Sequence, residues 1–395
     1  MSHRLISRSP DLERLRSEGY AVEIRHGYLL LHDIPYVDSS RRIRRGTLVS
    51  TLDLVADTTI APQTHVLYFI GDHPCTKDGD PIAQIAHISG KTQLAEGLEV
   101  DHSFSNRLPN GYSDYHAKMS RYVEIISHPA RALDDTVTAR TYPVIRETEA
   151  DSPFEYIDTA TSRAGIGAIT SKLRDQRIAI VGLGGTGSYV LDLIAKTPVR
   201  EIHLFDADDF LQHNAFRSPG ATSVADLERR LSKVELLRER YSVLHRGIVM
   251  HKVRVNETNV EELSGLSFVF ICIDSGPSRQ MLVANLEAMS VPFADVGMGI
   301  FRAGVGDMLG GVLRVTTSTP GAAPHASREG RFPFGDDDGP NEYATNIQVA
   351  DLNALNAALA VVRWKRWSQF YLDLEGEHHT TYTLDGNLLT NEDLA

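Results

Sequence analysis

The residues Gly182-Leu-Gly184-Gly185-Thr186-Gly187 stand between an apolar run, RIAIV, and a stretch of helical character, TGSYVLDLIAKTPV. A GxGxxG turn in that setting lets backbone amides approach a phosphate at the positive end of a helix. NAD, FAD and ATP enzymes share the motif, so the turn alone does not choose the cofactor. Asp206 closes the next apolar run, EIHLF, where a carboxylate reaches a ribose hydroxyl. That again fits NAD as well as ATP.

The following stretch separates them. It reads Asp206-Ala-Asp208-Asp-Phe-Leu-Gln-His-Asn214-Ala-Phe-Arg217, with Lys233 in the next helix. This resembles the pattern DxDxVxxxNxxRQ plus a helical lysine of ThiF, MoeB and the ubiquitin-activating E1 enzymes, with the same spacing from the first Asp to Asn and Arg. Hydride transfer has no need of a cationic pair here. A triphosphate does, because positioned Arg and Lys neutralise charge building on departing pyrophosphate. A serine replaces the glutamine that often follows the arginine, and the gap from Arg217 to Lys233 is longer than the family's.

A third segment, Phe268-Val-Phe-Ile-Cys-Ile-Asp274-Ser-Gly-Pro-Ser-Arg279, resembles the family's strand ending in Asp-Asn and then Arg, with serine in place of asparagine. The resemblance implies that Asp274 supports Mg²⁺ on the nucleotide phosphates, since one carboxylate plus phosphate oxygens is ordinary Mg²⁺ coordination. Asp274 is also suited to cap the helix that follows. Ser162-Arg163 resembles, loosely, the RYxRQ segment that sends an arginine to the phosphates of a neighbouring subunit. IQVADLNALNAALAVVRWKRW resembles the helix after the crossover loop and is read as a core helix without chemistry of its own. The match runs from about Thr159 to about Phe370.

The resemblance implies adenylation of the C-terminal glycine carboxylate of a ubiquitin-like or sulfur-carrier protein, with ATP and Mg²⁺. Arg217, Lys233 and Asp274 would hold the departing charge, and Arg163 would assist. Gly182, Gly184, Gly185, Gly187, Asp206, Asp208 and Asn214 would bind the nucleotide. Many members then pass the acyl group to a cysteine. Cys272 lies in an apolar strand and reads as inert, and residues 316–343, where the crossover loop is expected, contain no cysteine. Cys75, in Gly71-Asp-His-Pro-Cys75, remains as a thiol that His73 could favour as thiolate, set against a plain packed turn. Otherwise an external thiol, such as an E2-like protein, or an amine is the acceptor. A nucleotide-holding scaffold without turnover and an NAD-linked oxidoreductase are the competing readings.

The elements that must position these residues alternate strand and helix from RIAIV to SFVFICID, the rhythm of a doubly wound, mostly parallel Rossmann-like α/β sheet of the ThiF/E1 type. VADLERRLSKVELLRERYSVLH reads as a long amphipathic helix with a break. Residues 1–150 read as a smaller α+β domain: a hairpin turning at Arg25-His26-Gly27, further strands in GTLVSTLDLV and THVLYFIGD, and a helix that His128-Pro129 should stop. The polar stretch 138–163 reads as a linker, giving domains 1–150 and 151–395.

A length of 395 residues suits two domains, and a net charge of −12 argues against a nucleic-acid surface. The dense basic cluster RRIRR at 41–45 reads as a solvated strand end. No apolar run has membrane-spanning length, and the polar opening MSHRLISRSPDLERLRSEGY does not resemble a signal peptide, so a cytoplasmic protein is expected. Two cysteines cannot build a CxxC-pair zinc site. The acidic run GDDDG at 335–339 reads as solvated loop, and a homodimer is the default the resemblance implies.

Overall fold

The computed structural model describes residues 2–55, 58–144, 152–164, 166–304, 306–320, 331–334 and 347–392. Two compact units are present, residues 1–145 with 158–165, and residues 146–157 with 166–395.

The first unit is an antiparallel sheet with helices packed on it. Strands β1 (Ala21–Arg25), β2 (Tyr28–Val37), β3 (Ile43–Thr51), β6 (Val66–Ile70), β7 (Ala86–Ala95) and β8 (Leu98–Ser105) pair in the order β1-β2-β3-β6-β8-β7, while β4 (Leu54–Val55) and β5 (Thr58–Thr59) make a separate ribbon. The β1–β2 hairpin turns at His26 and Gly27, both at positive φ, as a two-residue hairpin loop requires. Helix Tyr115–Leu133 buries Tyr115, Met119, Tyr122 and Ile126 against the sheet, the set that helical spacing predicts.

Pro129 does not stop that helix, contrary to expectation; it runs on to Leu133. The proline forgoes one backbone bond, but Ala130 is fully buried and its carbonyl accepts from Asp134 at 3.0 Å. Packing keeps the last turn where local preference would end it.

The second unit carries the doubly wound sheet. Strands β9 (Arg177–Val181), β10 (Glu201–Phe205), β11 (Ile248–His251), β12 (Phe268–Ile271), β13 (Phe293–Arg302), β14 (Leu309–Ser318), β15 (His379–Thr383) and β16 (Leu388–Glu392) lie in the order β11-β10-β9-β12-β13-β14-β15-β16. The pairs from β11 to β13 are parallel, and those from β13 to β16 antiparallel. The sheet is therefore mixed and largely parallel.

Alternation along β9 shows both faces covered. Ile178 and Ile180 face one core with Leu191, Phe270 and Trp364, whereas Ala179 and Val181 face another with Phe205, Ile271 and Leu282. Strands buried on both sides read as continuous apolar runs, which is why RIAIV and SFVFI are legible without a polar phase.

The break in the long helix is real and sharp. Helices Val224–Glu228 and Lys233–Ser242 are separated by Arg230 at positive φ, and Ser232 caps the second helix in a reciprocal box with Glu235. The polar stretch 138–163 differs from a free linker at both described ends. Tyr142 bonds Gly19 and Arg140 bridges Tyr20 in the first unit, while Phe154 bridges His245 in the second. Among the described residues no helix is long and apolar enough to cross a membrane.

Candidate active site

The strand order reverses at β9 and β12, so the connections leave these neighbours in opposite directions and open a crevice at their carboxyl ends. The glycine turn follows β9, Asp206 follows β10, and Asp274 lies three residues past β12. One edge of the sheet thus gathers three segments that are far apart in sequence.

Each glycine serves its own need. Gly182 has φ +89°, and a Cβ there would lie 2.5 Å from the carbonyl oxygen of Cys272, so the turn presses against the end of β12. A Cβ on Gly187 would lie 1.9 Å from the carbonyl of Gly182. At Gly184, the N-cap of helix Gly185–Ile194, a Cβ would meet no described atom within 4 Å, and no side chain caps the helix. Among the described residues nothing crowds Gly184, and the uncapped amides of the first turn suit a phosphate.

Asp206 and Lys233 tie the turn to the next strand. The Asp206 carboxylate accepts from the Leu183 amide at 2.7 Å and the Asp208 amide at 2.8 Å. Lys233 Nζ lies 3.3 Å from both Asp206 oxygens and donates to Asp208 Oδ2 at 2.8 Å. The lysine ammonium holds the Asp208 carboxyl below its ordinary range, with Arg254 adding to the effect. Lys233 arrives there because the helix break pairs Asp209 with Ser232, and its amide bonds the Asp208 carbonyl at 3.0 Å.

Asn214 is buried in the short helix Gln212–Ala215, where its side-chain oxygen accepts from the Leu211 amide at 2.8 Å. Its carbonyl receives the Arg217 amide at 3.1 Å, which sets where that arginine leaves the helix. Burial first, then Arg217 and Lys233, push the imidazole of the neighbouring His213 down from the usual histidine range.

Asp274 does not cap the following helix. Ser275 is the N-cap of helix Gly276–Ala288, accepting from Ser278, and the Asp274 side chain stays exposed. An exposed single carboxylate beside the crevice fits a hydrated Mg²⁺ that takes its other ligands from phosphates.

Residues that the sequence reading treated as packing also shape the turn. Asn353, fully buried in helix Ala350–Trp367, accepts from Thr186 Oγ1 at 2.8 Å, and a Cβ on Gly185 would lie 2.3 Å from its side chain. That helix thus does more than fill the core. Two asparagines, at 353 and 356, in an otherwise Ala- and Leu-rich helix were the available signal.

The two cysteines lie elsewhere. Cys75, 1 % exposed in the first unit, forms bridges to Val37 and Pro81 and donates its thiol to the His73 carbonyl at 3.2 Å. Burial, then Asp38 and Asp80, push this thiol up; a thiolate-promoting His73 is not what surrounds it. Cys272 lies one residue past β12 rather than mid-strand, and burial pushes its thiol up strongly. Arg163 ends helix Thr159–Arg163, but its side chain lies outside the described residues, as do 335–339 and most of the stretch expected as crossover loop.

Residues 160–333 match the ThiF family, and residues 10–159 match a domain of unknown function, DUF6791. Over 127 residues the chain is 29% identical to tRNA threonylcarbamoyladenosine dehydratase of Escherichia coli (strain K12), covering 31% of this chain and 46% of the relative. Over 154 residues it is 29% identical to ubiquitin-like modifier-activating enzyme 5 of Drosophila mojavensis, covering 35% and 38%. The match thus spans less than half the length of these curated relatives. Among solved structures, E. coli MccB with MccA-N7isoASN has a TM-score of 0.47 at 14% identity, over 72% of this chain and 84% of that one.

Proposed function

We propose that this chain, whose residues 160–333 form a ThiF-family domain preceded by a DUF6791 domain, adenylates the C-terminal carboxylate of a glycine-ended ubiquitin-like or sulfur-carrier protein. The observation that carries the reading is Lys233 beside Asp206 and Asp208, directly under the glycine turn, with Arg217 leaving the short helix that the buried Asn214 anchors after Asp208. A cationic pair at a phosphate-binding turn suits a triphosphate that loses pyrophosphate and is superfluous for hydride transfer.

In the proposed reaction a carboxylate oxygen attacks the α-phosphorus of ATP while the bond to the bridging oxygen breaks. Acyl-adenylate and pyrophosphate result, and no side-chain nucleophile is required. Gly184 and the first amides of its helix cradle phosphate. Asp206 keeps the turn and the lysine in register, and the more exposed Asp208 is the carboxylate open to a ribose hydroxyl. Arg217 and Lys233 stabilise the departing charge. Asp274 would hold Mg²⁺, which supplies further neutralisation of the phosphates when bound.

The buried Cys75 gives no support to an internal acceptor, so the acyl group passes to an external thiol, such as an E2-like protein, or an amine. A homodimer is the proposed assembly. The test is ATP–pyrophosphate exchange with Mg²⁺ and glycine-terminated ubiquitin-like proteins. Exchange that requires the protein tail and vanishes in Arg217→Ala and Asp274→Ala supports the reading. ATP binding without exchange for any tail favours a nucleotide-holding scaffold, and an absence of ATP binding sinks the nucleotide assignment.

A further inference from the structure

A charged cluster lies buried behind the site. Asp295 in β13 is 0 % exposed and takes two arginines, Arg279 Nε at 2.9 Å and Arg314 from the adjacent β14. Gly297 makes room for Arg314, since a Cβ there would lie 2.6 Å from its guanidinium. Two cations meet on one carboxylate, Arg279 buried and Arg314 partly exposed, and apolar packing often matches such a buried ionic arrangement in stability. Stability alone gives no reason for it, so the remaining donors of the two arginines matter.

Those donors reach main-chain carbonyls. Arg279 donates to the Ile273 carbonyl, immediately before Asp274, and to the Pro333 carbonyl at 3.0 Å. Arg314 donates to Thr316 Oγ1 at 2.7 Å and to the Arg331 carbonyl at 2.9 Å. Phe332, between these two anchored residues, packs into the core beside Phe293. The residue preceding Asp274 and the chain at 331–333 therefore hang on one buried carboxylate.

We infer that Arg279, held by Asp295, is a positioning residue that fixes the Asp274 end of β12 and couples it to the chain at Pro333. The inference rests on the adenylation reading for what Asp274 binds. The coupling itself is a property of the protein without ligand. The guanidinium is suited to it because its planar fork serves three acceptors at once, whereas a lysine ammonium in the same place keeps the charge but cannot span them.

The test compares wild type, Arg279→Lys, and Ile248→Val as a variant in the other core, away from the cluster. Calorimetry measures ATP affinity with and without Mg²⁺, and hydrogen exchange follows the amides of residues 273–275 and those of Phe332 and Phe334. For Arg279→Lys the expected result is metal-free ATP affinity within twofold of wild type, an at least tenfold smaller gain in affinity on adding Mg²⁺, and faster exchange in both segments together. Ile248→Val should keep the gain. If Arg279→Lys does not fold, Asp295→Asn, of the same shape, is measured in its place with the same expectation.

Arg279→Lys that is less stable yet keeps the full Mg²⁺ gain overturns the inference and leaves the adenylation reading standing. So does loosening of only one of the two segments. A wild type that binds no ATP overturns the adenylation reading alone, and the coupling is then decided by whether both segments loosen together.

Discussion

Lys233 Nζ lies 3.3 Å from each carboxylate oxygen of Asp206, and both residues are nearly buried, at 8 % and 9 % exposure. The same carboxylate holds the Leu183 amide of the glycine turn. The cation proposed to meet a triphosphate is thus also a fastener of the turn that receives it. Removing it leaves a carboxylate with less compensation than its burial requires. Lys233→Met should lose about 3 kcal/mol in urea unfolding and bind ATP at least about tenfold more weakly. Stability equal to wild type would show that the pair carries no net interaction.

Arg217 is more exposed and should behave differently. Arg217→Ala is expected to keep its folding free energy within about 1 kcal/mol while pyrophosphate exchange falls about 100-fold or more. A variant that loses ATP affinity in the same proportion as turnover would place Arg217 in ground-state binding instead.

Gly185 and Asn353 form a tight pair across two helices. Gly185→Ala should cost about 1–3 kcal/mol by overpacking. Truncating the obstacle with Asn353→Ala should recover part of that, leaving a coupling of about 1 kcal/mol or more in a double-mutant cycle. Additive losses would mean that the added methyl finds room without displacing Asn353.

His245 supplies a pH dependence. It is fully buried, donates from Nε2 to the Val199 carbonyl at 3.0 Å and accepts at Nδ1 from the Gly247 amide at 3.1 Å, an arrangement that needs the neutral ring. Burial pushes its pKa down to about 4 from 6.5, against the opposing pull of the backbone acceptor. Between these values the unfolded chain binds a proton that the folded one does not, so stability falls as pH drops from 6.5 towards 4. From pH 7 to 4, wild type should lose about 3 kcal/mol more than His245→Gln. Parallel pH profiles for the two proteins would refute the assignment.

The buried Cys75 thiol should be slow to react in the native state. It is expected to titrate with a thiol reagent only as the protein unfolds, and Cys75→Ser should leave any pyrophosphate exchange unchanged. Rapid native labelling of Cys75 would reopen its role as acceptor.

The linear chain already determined the parallel half of the second unit and the run from Gly182 to Arg217. A strand buried on both faces must be continuously apolar, and a phosphate turn must be glycine-rich between strand and helix, so both leave local marks. The hairpin at His26-Gly27 is legible for the same reason, since its turn needs residues that tolerate positive φ. Strands β13 to β16 left no equally local mark and went unread, and the helix through Pro129 was read as too short. Tertiary structure alone decided that Lys233 reaches back across a helix break to Asp206, that Asn353 locks the glycine turn, and that Asp295 gathers Arg279 and Arg314. Each joins residues that chain folding brings together from separate strands or helices, and a pairing of charges or amides across such distances imposes no periodicity on the sequence around it.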